Sequence, residues 1–297
     1  MKTKNKYIVA VDVGGTKTNI GYFNGGKLIK VNKFSTKKFG PENIDIISEN
    51  LINSKINISA ICLSLTGLVN KKGLWSPINK KTLGNFKDYP VIKILKNIFN
   101  IPIYVIGDTQ AAALGEMYYG NGKGINSFFY LTVSTGIGGS IVYNKNLFDN
   151  KVSDIGSIGH TVIKHNGRIC GCGKRGCLEA YASGNALIKR SNIKKCINTK
   201  DLLTKYKSNP KAKKIVDEAT SMLVQSIKNV NLLIRINYFL IGGSVGLNPY
   251  FYRAIIEKIK KEETVIRIKK AKLKSKAELY GCFAFINKKI FLKKWVN

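Results

Sequence analysis

One histidine and three cysteines lie close together near the middle of the chain, at His160, Cys170, Cys172 and Cys177. A tetrahedral zinc ion binds such sets of thiolates and imidazoles, and a Cys3His set leaves no open position for water. Zinc would therefore hold this loop in shape, and catalytic chemistry would come from residues that the loop positions. Reduced surface cysteines or a disulfide are the alternatives.

Three glycine-rich segments could bind phosphate: DVGGTKT at residues 12–18, VSTGIGG at 133–139 and IGGSVG at 241–246. Each follows a predicted strand, and glycine lets successive backbone amides approach an anion closely. None fits the P-loop pattern or the dinucleotide-binding pattern, and ordinary β-hairpins are the alternative interpretation. The three segments together favour phosphate binding.

The first segment also carries groups that suit a magnesium ion. Asp12 ends a predicted strand, and Thr16 and Thr18 follow the two glycines. A carboxylate facing the metal and amides facing the phosphates would bind a magnesium-bound polyphosphate. Asp12 would reach the ion through water, because Mg2+ keeps most of its hydration.

The apolar patterns that surround these segments predict alternating strands and helices with short turns, which is typical of an α/β protein. Predicted strands cover residues 7–13, 19–23, 27–34, 59–64, 102–106, 127–133, 138–143 and 238–241. Predicted helices cover residues 41–54, 89–99, 109–119 and the region around 215–230. Asp108 stands just past one of these strands.

The chain has 297 residues, of which 44% are hydrophobic, so it can bury the cores of two domains. Its net charge of +33 would suit nucleic acid if the charge were clustered, but the lysines are dispersed among Asn and Ile along the whole chain. This bias is typical of an AT-rich coding background, so we expect no specific nucleic-acid partner. The field would still attract anionic substrates.

The remaining cysteines, Cys62, Cys196 and Cys282, are isolated and are interpreted as small core residues. The amino-terminal sequence MKTKNKYIVAVDVGG has a short apolar stretch interrupted by Asp12, which predicts a strand and not a signal peptide. No apolar run is long enough to span a bilayer. We therefore expect a cytoplasmic protein with no membrane partner.

Together these motifs resemble the ROK family of sugar kinases and sugar-responsive repressors, within the actin-like ATPase superfamily, over nearly the whole chain. DVGGTKT resembles the family's first phosphate motif, STGIGG its second, IGGSVG its adenosine motif, and GHTVIKHNGRICGCGKRGCLEAYASG its zinc and sugar-binding signature. The resemblance implies two ribonuclease-H-like α/β domains around a central cleft. Residues 1–118 and a returning helix at about 276–297 would form the first domain, and residues 119–275 the second.

The resemblance also implies which residues form the site. Asp108, in GDTQAAALGE, would be the catalytic base, while His160 would contact both zinc and sugar. Glu179 would hold sugar hydroxyls, with Gly67 and Ser157 as further sugar contacts. ATP and Mg2+ would be bound by residues of the three loops, namely Asp12, Gly14, Gly15, Thr16, Lys17, Thr18, Thr135, Gly136, Gly138, Gly242 and Gly243.

Asp108 and Glu116, at the start and in the middle of the predicted helix, each allow an alternative interpretation. Asp108 can be the N-cap of this helix as well as the base, since aspartate is common at N-caps. Glu116 lies within the helix and is expected to be structural or solvent-facing.

The sequence departs from the family pattern at four positions. Gly107 stands where Asn is usual, and Ser157 where Glu is usual. Both changes remove groups that normally hold sugar hydroxyls, which puts glucose specificity in doubt. Thr66 replaces a usual Pro and Ser134 a usual Gly, and these changes relax the pattern without removing a charge.

The first interpretation is an ATP-dependent hexose kinase that phosphorylates the 6-hydroxyl of glucose or a related sugar as its domains close. A kinase for N-acetylmannosamine, N-acetylglucosamine or fructose is the alternative among enzymes. A catalytically weak sugar-binding regulatory protein is the alternative of another class. Eleven residues precede Asp12, too few for a winged helix, so a DNA-bound repressor is not expected. The family is commonly dimeric, which makes a homodimer an expectation, but no residue pattern in this chain defines its interface.

Overall fold

The computed structural model of the chain describes residues 6–149, 155–193, 196–262 and 265–294. Its strands are β1 (Tyr7–Val13), β2 (Lys17–Asn24), β3 (Lys27–Ser35), β4 (Ile58–Leu65), β5 (Leu68–Val69), β6 (Leu74–Ser76), β7 (Tyr89–Pro90), β8 (Ile103–Gly107), β9 (Phe128–Val133), β10 (Ile137–Tyr143), β11 (Asn146–Leu147), β12 (Tyr238–Gly242) and β13 (Arg267–Lys270). Its helices are α1 (Gly40–Asn53), α2 (Lys80–Leu83), α3 (Val91–Ile98), α4 (Asp108–Tyr119), α5 (Glu179–Ala182), α6 (Gly184–Ser191), α7 (Thr199–Thr204), α8 (Pro210–Ile234), α9 (Pro249–Lys261) and α10 (Ala277–Lys294).

These elements form two compact units, and the predicted α/β class is confirmed. The first unit comprises the described parts of Met1–Lys123, Asp149–Ile155 and Ser275–Asn297. The second comprises the described parts of Gly124–Phe148 and Gly156–Lys274. The division expected from the sequence differs in assigning residues 119–123 and 149–155 to the second domain.

The first unit is built on a five-stranded sheet in the order β3-β2-β1-β4-β8. The hairpin between β2 and β3 turns at Gly25 and Gly26, which have φ angles of +52° and +81°, a conformation that glycine adopts without steric cost. β4 pairs in parallel with β1, and β8 pairs in parallel with β4. The carboxyl ends of β1, β4 and β8 therefore lie at the same edge of the sheet.

A small antiparallel sheet of β5, β6 and β7 also belongs to the first unit and was not predicted. Strands of two or three residues are too short for a recognisable alternation of apolar residues. The predicted helix at 89–99 was wrong at its start, because Tyr89 and Pro90 form β7 and the helix begins at Val91. Trp75, on β6, is fully buried and anchors this sheet in the core.

The second unit has a sheet in the order β11-β10-β9-β12-β13. β9 and β10 form the predicted hairpin, and β12 runs parallel to β9. The long helix α8 packs on this sheet through residues that were predicted at helical spacing, including the fully buried Ala219, Leu223 and Ile227. No helix among the described residues is long and apolar enough to cross a membrane.

Helices α4 and α10 of the first unit touch backbone to backbone. A Cβ atom added at Gly281 would lie 1.7 Å from the carbonyl oxygen of Ala111, and one added at Gly115 would lie 2.2 Å from that of Ala277. Both distances are far below van der Waals contact, so only glycine allows this approach. Since α4 begins at Asp108, this packing also fixes the position of that carboxylate.

The substitution Gly281→Ala is therefore expected to lower the free energy of unfolding by about 1–3 kcal/mol through overpacking. Thermal unfolding followed by circular dichroism would detect it as a lower midpoint. Lys260→Ala, at an exposed position of α9, is the control and should stay within about 0.5 kcal/mol. Equal midpoints for the two variants would contradict the close packing of α4 and α10.

Candidate active site and metal centre

Asp12 lies near the end of β1 with both carboxylate oxygens in hydrogen bonds. Its Oδ2 accepts from Asn19 Nδ2 at 3.1 Å, and its Oδ1 accepts from Ser64 Oγ at 3.0 Å. Burial raises the pKa of Asp12 to about 6, against the effect of these two bonds, and the nearby charge of Asp108 adds to the increase. Asp12 is therefore a positioned carboxylate that is ionised above about pH 6.

The loop between β1 and β2 presents two side chains to solvent. Thr16 and Lys17 are exposed, and the turn is closed by a hydrogen bond from the backbone N–H of Gly14 to the carbonyl oxygen of Lys17, at 3.1 Å. Thr18, by contrast, is fully buried, and its hydroxyl is 2.9 Å from that of Thr36. The Thr18 hydroxyl thus joins β2 to the end of β3, and Thr16 and Lys17 are better placed to meet a ligand.

Asp108 is the first residue of α4, and Gly107 is its N-cap. The predicted N-cap role of Asp108 is therefore wrong by one residue. Its Oδ2 accepts from Thr66 Oγ1 at 2.8 Å, and its Oδ1 accepts from the backbone N–H of Thr109 at 2.7 Å. Burial raises the pKa of Asp108, and these two bonds oppose the increase.

Strand register explains why the two carboxylates lie at one edge of the first sheet. Asp12 pairs with Ser64, and the residue after Ser64 pairs with Gly107. β4 therefore separates Asp12 from Asp108, and its end supplies one hydroxyl to each. Gly67, predicted as a sugar contact, follows directly with φ of +115°, and a Cβ atom there would lie 2.6 Å from the carbonyl oxygen of Ser76.

Two residues at this edge, Thr66 and Glu278, were not predicted as site residues. Thr66 was taken only as a relaxed position, yet its hydroxyl binds Asp108. Glu278, in the first turn of α10, has its pKa raised well above the usual range by burial and by the charges of Asp12 and Asp108. Glu116 is buried and structural, as predicted, but not solvent-facing; its Oε2 accepts from the backbone N–H of Asn121 at 2.8 Å.

The predicted metal ligands of the second unit converge. One ligand atom from each of His160, Cys170, Cys172 and Cys177 lies within 4.8 Å of all the others. Cys172 Sγ is 3.8 Å from Cys177 Sγ, and Cys170 Sγ is 3.7 Å from His160 Nδ1. Tetrahedral zinc with Zn–S bonds of about 2.3 Å requires sulfur atoms about 3.8 Å apart, so the donor set fits this ion.

The alternative interpretations of these cysteines fail on the same geometry. A disulfide needs sulfur atoms about 2.05 Å apart, and all cysteines of the chain are free. Cys170 and Cys177 are buried, which excludes ordinary surface thiols. Burial raises the pKa of the Cys170 thiol to about 12 and also raises that of Cys177, so a bound cation is needed to hold both as thiolates.

The loop that carries the cysteines depends on glycine at one position. Gly176 has φ of +81°, and a Cβ atom there would lie 1.9 Å from the carbonyl oxygen of Lys164. An antiparallel bridge between Val162 and Cys177 brings the chain back beside His160. The turn CGCGKRGC is thus folded tightly enough to place its sulfur atoms around one point.

Glu179 connects the metal loop with the second glycine loop inside the same unit. Its Oε2 accepts from the backbone N–H of Ile137 at 3.0 Å, and its Oε1 lies 4.0 Å from Cys170 Sγ. One carboxylate oxygen of this predicted sugar-binding residue is therefore already held by the loop. Ser157, another predicted sugar contact, is half-buried and begins the short 3-10 turn that contains His160.

The second and third glycine loops lie side by side because β9 and β12 are parallel neighbours. The carbonyl oxygen of Val133 accepts from the backbone N–H groups of Val245 and Gly246, at 3.0 and 2.9 Å. The hydroxyls of Ser134 and Ser244 are 3.2 Å apart. These contacts bring the two predicted nucleotide-binding loops to one edge of the sheet, as ligand sites of α/β sheets require.

The residues of these two loops that are predicted to bind the nucleotide lie partly in turns and partly in strands. Thr135 and Gly136 lie in the turn between β9 and β10, but Gly138 is inside β10 and pairs with Thr132. Gly242 and Gly243 end β12, where Gly243 has φ of +81°. Gly138 and Gly242 therefore belong to the sheet, where both pair with Thr132, and Thr135, Gly136 and Gly243 lie in the turns that follow β9 and β12.

Comparison with known proteins agrees with these features. The sequence matches the ROK family over residues 8–289. The N-acetylmannosamine kinase of Haemophilus influenzae is 31% identical over 296 residues, which cover 96% of this chain and 97% of that protein. A ROK hexokinase from Thermus thermophilus has a TM-score of 0.80 at 27% identity and covers 95% of this chain and 99% of its own. A ROK family glucokinase from Streptomyces griseus, in complex with glucose and AMPPNP, shares the fold with a TM-score of 0.82 at 22% identity, covering 93% and 97%.

Zinc is expected to copurify with the protein in stoichiometric amount, and Cys172→Ser should lose most of it because three ligands hold the ion far less tightly than four. Elemental analysis by mass spectrometry measures the metal, and thermal unfolding should show a lower midpoint for the variant. Cys196→Ser, outside the cluster, is the control and should keep its zinc. Full zinc content in Cys172→Ser would contradict the assignment.

Proposed function

The chain belongs to the ROK family, and from this premise we propose that it is an ATP-dependent kinase that phosphorylates the 6-hydroxyl of N-acetylmannosamine. The sequence alone put glucose first among the acceptors. The Haemophilus influenzae relative, which aligns over nearly the whole of both chains, is named as an N-acetylmannosamine kinase and therefore favours the N-acetylated sugar. Gly107 and Ser157 agree with this choice, because small residues leave room for a larger substituent.

The observation that carries the proposal is the setting of Asp108. The carboxylate is half-buried just past the end of β8 and accepts internal hydrogen bonds from Thr66, from the backbone N–H of Thr109 and from its own backbone N–H. The two oxygens of a carboxylate offer about four acceptor sites, so a position remains for a substrate hydroxyl. Asp108 can therefore accept the proton of the sugar as its oxygen attacks.

The reaction is an in-line phosphoryl transfer. The 6-oxygen of the sugar forms a bond to the γ-phosphorus of ATP, the bond from that phosphorus to the bridging oxygen breaks, and ADP leaves. The proton of the 6-hydroxyl passes to Asp108. Because the transition state spreads negative charge over the phosphoryl oxygens, backbone N–H groups and cations around them are the main source of catalysis.

The glycine loops provide such groups. In the first unit, the backbone N–H of Gly15 and the exposed side chains of Thr16 and Lys17 would contact the phosphates, while Gly14 closes the turn with its own N–H. A magnesium ion on the phosphates would neutralise part of their charge, with Asp12 binding its water molecules. Asp12 is ionised at neutral pH and is held by Asn19 and Ser64, as this role requires.

In the second unit, Thr135 and Gly136 would contact the phosphates, and Gly242 and Gly243 the adenosine. Glu179 would hold sugar hydroxyls through the oxygen that Ile137 leaves free. His160 turns Nδ1 toward Cys170, which leaves Nε2 for the sugar. Zinc bound to the four ligands would keep this loop in shape and take no part in the transfer.

Asp108→Asn should lower kcat by about 10²–10⁴-fold, because the amide cannot accept the proton, while the KM for the sugar changes little. A coupled ADP-release assay with Mg-ATP and glucose, mannose, fructose, N-acetylglucosamine and N-acetylmannosamine measures both. Asp88→Asn is the control: this exposed residue has φ of +52°, which asparagine tolerates. Undiminished turnover in Asp108→Asn would reject this base, and binding of a sugar without turnover by the wild type would favour the regulatory alternative.

Ser157→Glu tests the sugar preference. The larger acidic side chain should lower the ratio of kcat/KM for N-acetylmannosamine to kcat/KM for glucose by about 10-fold or more. The reason is that a substrate that pairs with the added carboxylate is favoured over one that leaves it unpaired. The same assay gives the ratio. Ser208→Glu, at an exposed position, adds the same charge elsewhere and should leave the ratio unchanged. An unchanged ratio in Ser157→Glu would remove Ser157 from the specificity determinants.

A further inference from the structure

We propose that Thr66 is a positioning residue for the base Asp108: its hydroxyl, one residue past β4, fixes the direction in which the carboxylate meets the sugar hydroxyl. The bond from Thr66 Oγ1 to Asp108 Oδ2 is 2.8 Å long and joins the residue that follows β4 to the first residue of α4. This inference rests on the proposed function, because it takes Asp108 as the base. It gives a role to Thr66, which the sequence alone marks only as a departure from the family pattern.

Thr66 is itself held by hydrogen bonds to its backbone N–H and to its carbonyl oxygen. Its N–H donates to the carbonyl oxygen of Val13 at 3.1 Å, and its carbonyl oxygen accepts from Trp75 Nε1 at 2.9 Å. Trp75 is fully buried, so this second bond ties Thr66 to the core of the first unit. A β-branched side chain has few χ1 rotamers, so a fixed backbone also fixes its hydroxyl.

Besides a hydrogen bond from its own backbone N–H, the carboxylate of Asp108 accepts hydrogen bonds from Thr109 N–H and from Thr66 Oγ1. Thr109 N–H binds Oδ1 at 2.7 Å, but this donor is the next residue and follows any movement of the backbone of Asp108. Thr66, which follows β4, is distant in the chain and binds the other oxygen. Thr66 therefore sets the rotation of the carboxylate plane relative to the sheet, which decides where the free lone pairs point.

A second hydroxyl of the same strand end supports the assignment. Ser64 Oγ donates to Asp12 Oδ1 at 3.0 Å, two residues before Thr66 donates to Asp108. β4 lies between β1 and β8 in the sheet, so it reaches the carboxylate on each side with one hydroxyl. The arrangement serves the two acids that the reaction needs, and not the packing of the core.

Electrostatics gives the bond a second effect. Two acidic groups, Asp12 on β1 and Glu278 on α10, lie close enough to Asp108 for its negative charge to raise their pKa values. Burial and such neighbours favour the protonated form of a carboxyl group, whereas a donated hydrogen bond favours the ionised form. Loss of the Thr66 hydroxyl should thus raise the pKa of Asp108 and move the acid limb of the rate profile to higher pH.

The test compares Thr66→Val, which removes the hydroxyl at nearly constant shape, with Thr66→Ser, which keeps it. Thr220→Val is the matched control, because the hydroxyl of this buried threonine binds carbonyl oxygens of its own helix α8. With Mg-ATP and N-acetylmannosamine, Thr66→Val should lose about 10–100-fold in kcat, the usual effect of a lost hydrogen bond to a charged group. The KM of Thr66→Val for the sugar should change less than about 3-fold. Thr66→Ser should recover most of kcat. The acid limb of the pH–rate profile should shift only in Thr66→Val.

Two results would overturn the inference: a kcat in Thr66→Val that equals that of Thr220→Val, or an equal loss in Thr66→Ser. If Thr66→Val does not fold, Thr66→Ala takes its place in the same comparison.

If the wild type phosphorylates no sugar, the proposed function fails, and the role of Thr66 is tested without turnover. The 13C-labelled carboxyl of Asp108, assigned with the help of Asp108→Asn, is then titrated by NMR. A higher pKa in Thr66→Val would support the bond, and an unchanged pKa would reject it.

Discussion

The parallel pairing of β4 with β1 and β8 is the constraint on which the candidate site of the first unit depends. Because the three strands end at the same edge, Asp12 and Asp108 lie on either side of the end of β4. Hydroxyls of Ser64 and Thr66 then hold one carboxylate each. The close approach of α4 and α10 at Gly115 and Gly281 fixes the helix that begins at Asp108. Backbone pairing thus holds these two carboxylates near each other although their negative charges repel.

The second unit achieves its order by a different means. Its donor atoms are brought together by a short loop, and not by a sheet. This loop requires glycine at position 176, where a side chain would clash with the backbone. Glu179 then ties this loop to the backbone of Ile137, beside the second glycine loop. Changes at this candidate metal site are therefore expected to reach the residues that would bind phosphate and sugar, even though a structural metal would take no part in the chemistry.

Sequence reasoning found the parts of the fold that have a strong local pattern. β1 was predicted to the residue, and the four side chains that could hold a metal ion were identified from residue type and spacing alone. It missed β5, β6 and β7, which are too short to carry a period, and it placed the start of α3 two residues early. The bond between Thr66 and Asp108 was also out of reach, because it joins residues 42 positions apart and depends on strand register. Glu278 was missed for the same reason, since only folding brings α10 beside β1 and α4.

The identity of the product tests the central claim most directly. Wild-type protein with its zinc content verified would be incubated with Mg-ATP and N-acetylmannosamine, and the products analysed by 31P and 13C NMR. The account predicts one phosphate monoester on the 6-oxygen of the sugar for each ADP formed. ADP with free phosphate and unchanged sugar, or no ADP with any sugar from folded protein, would contradict it.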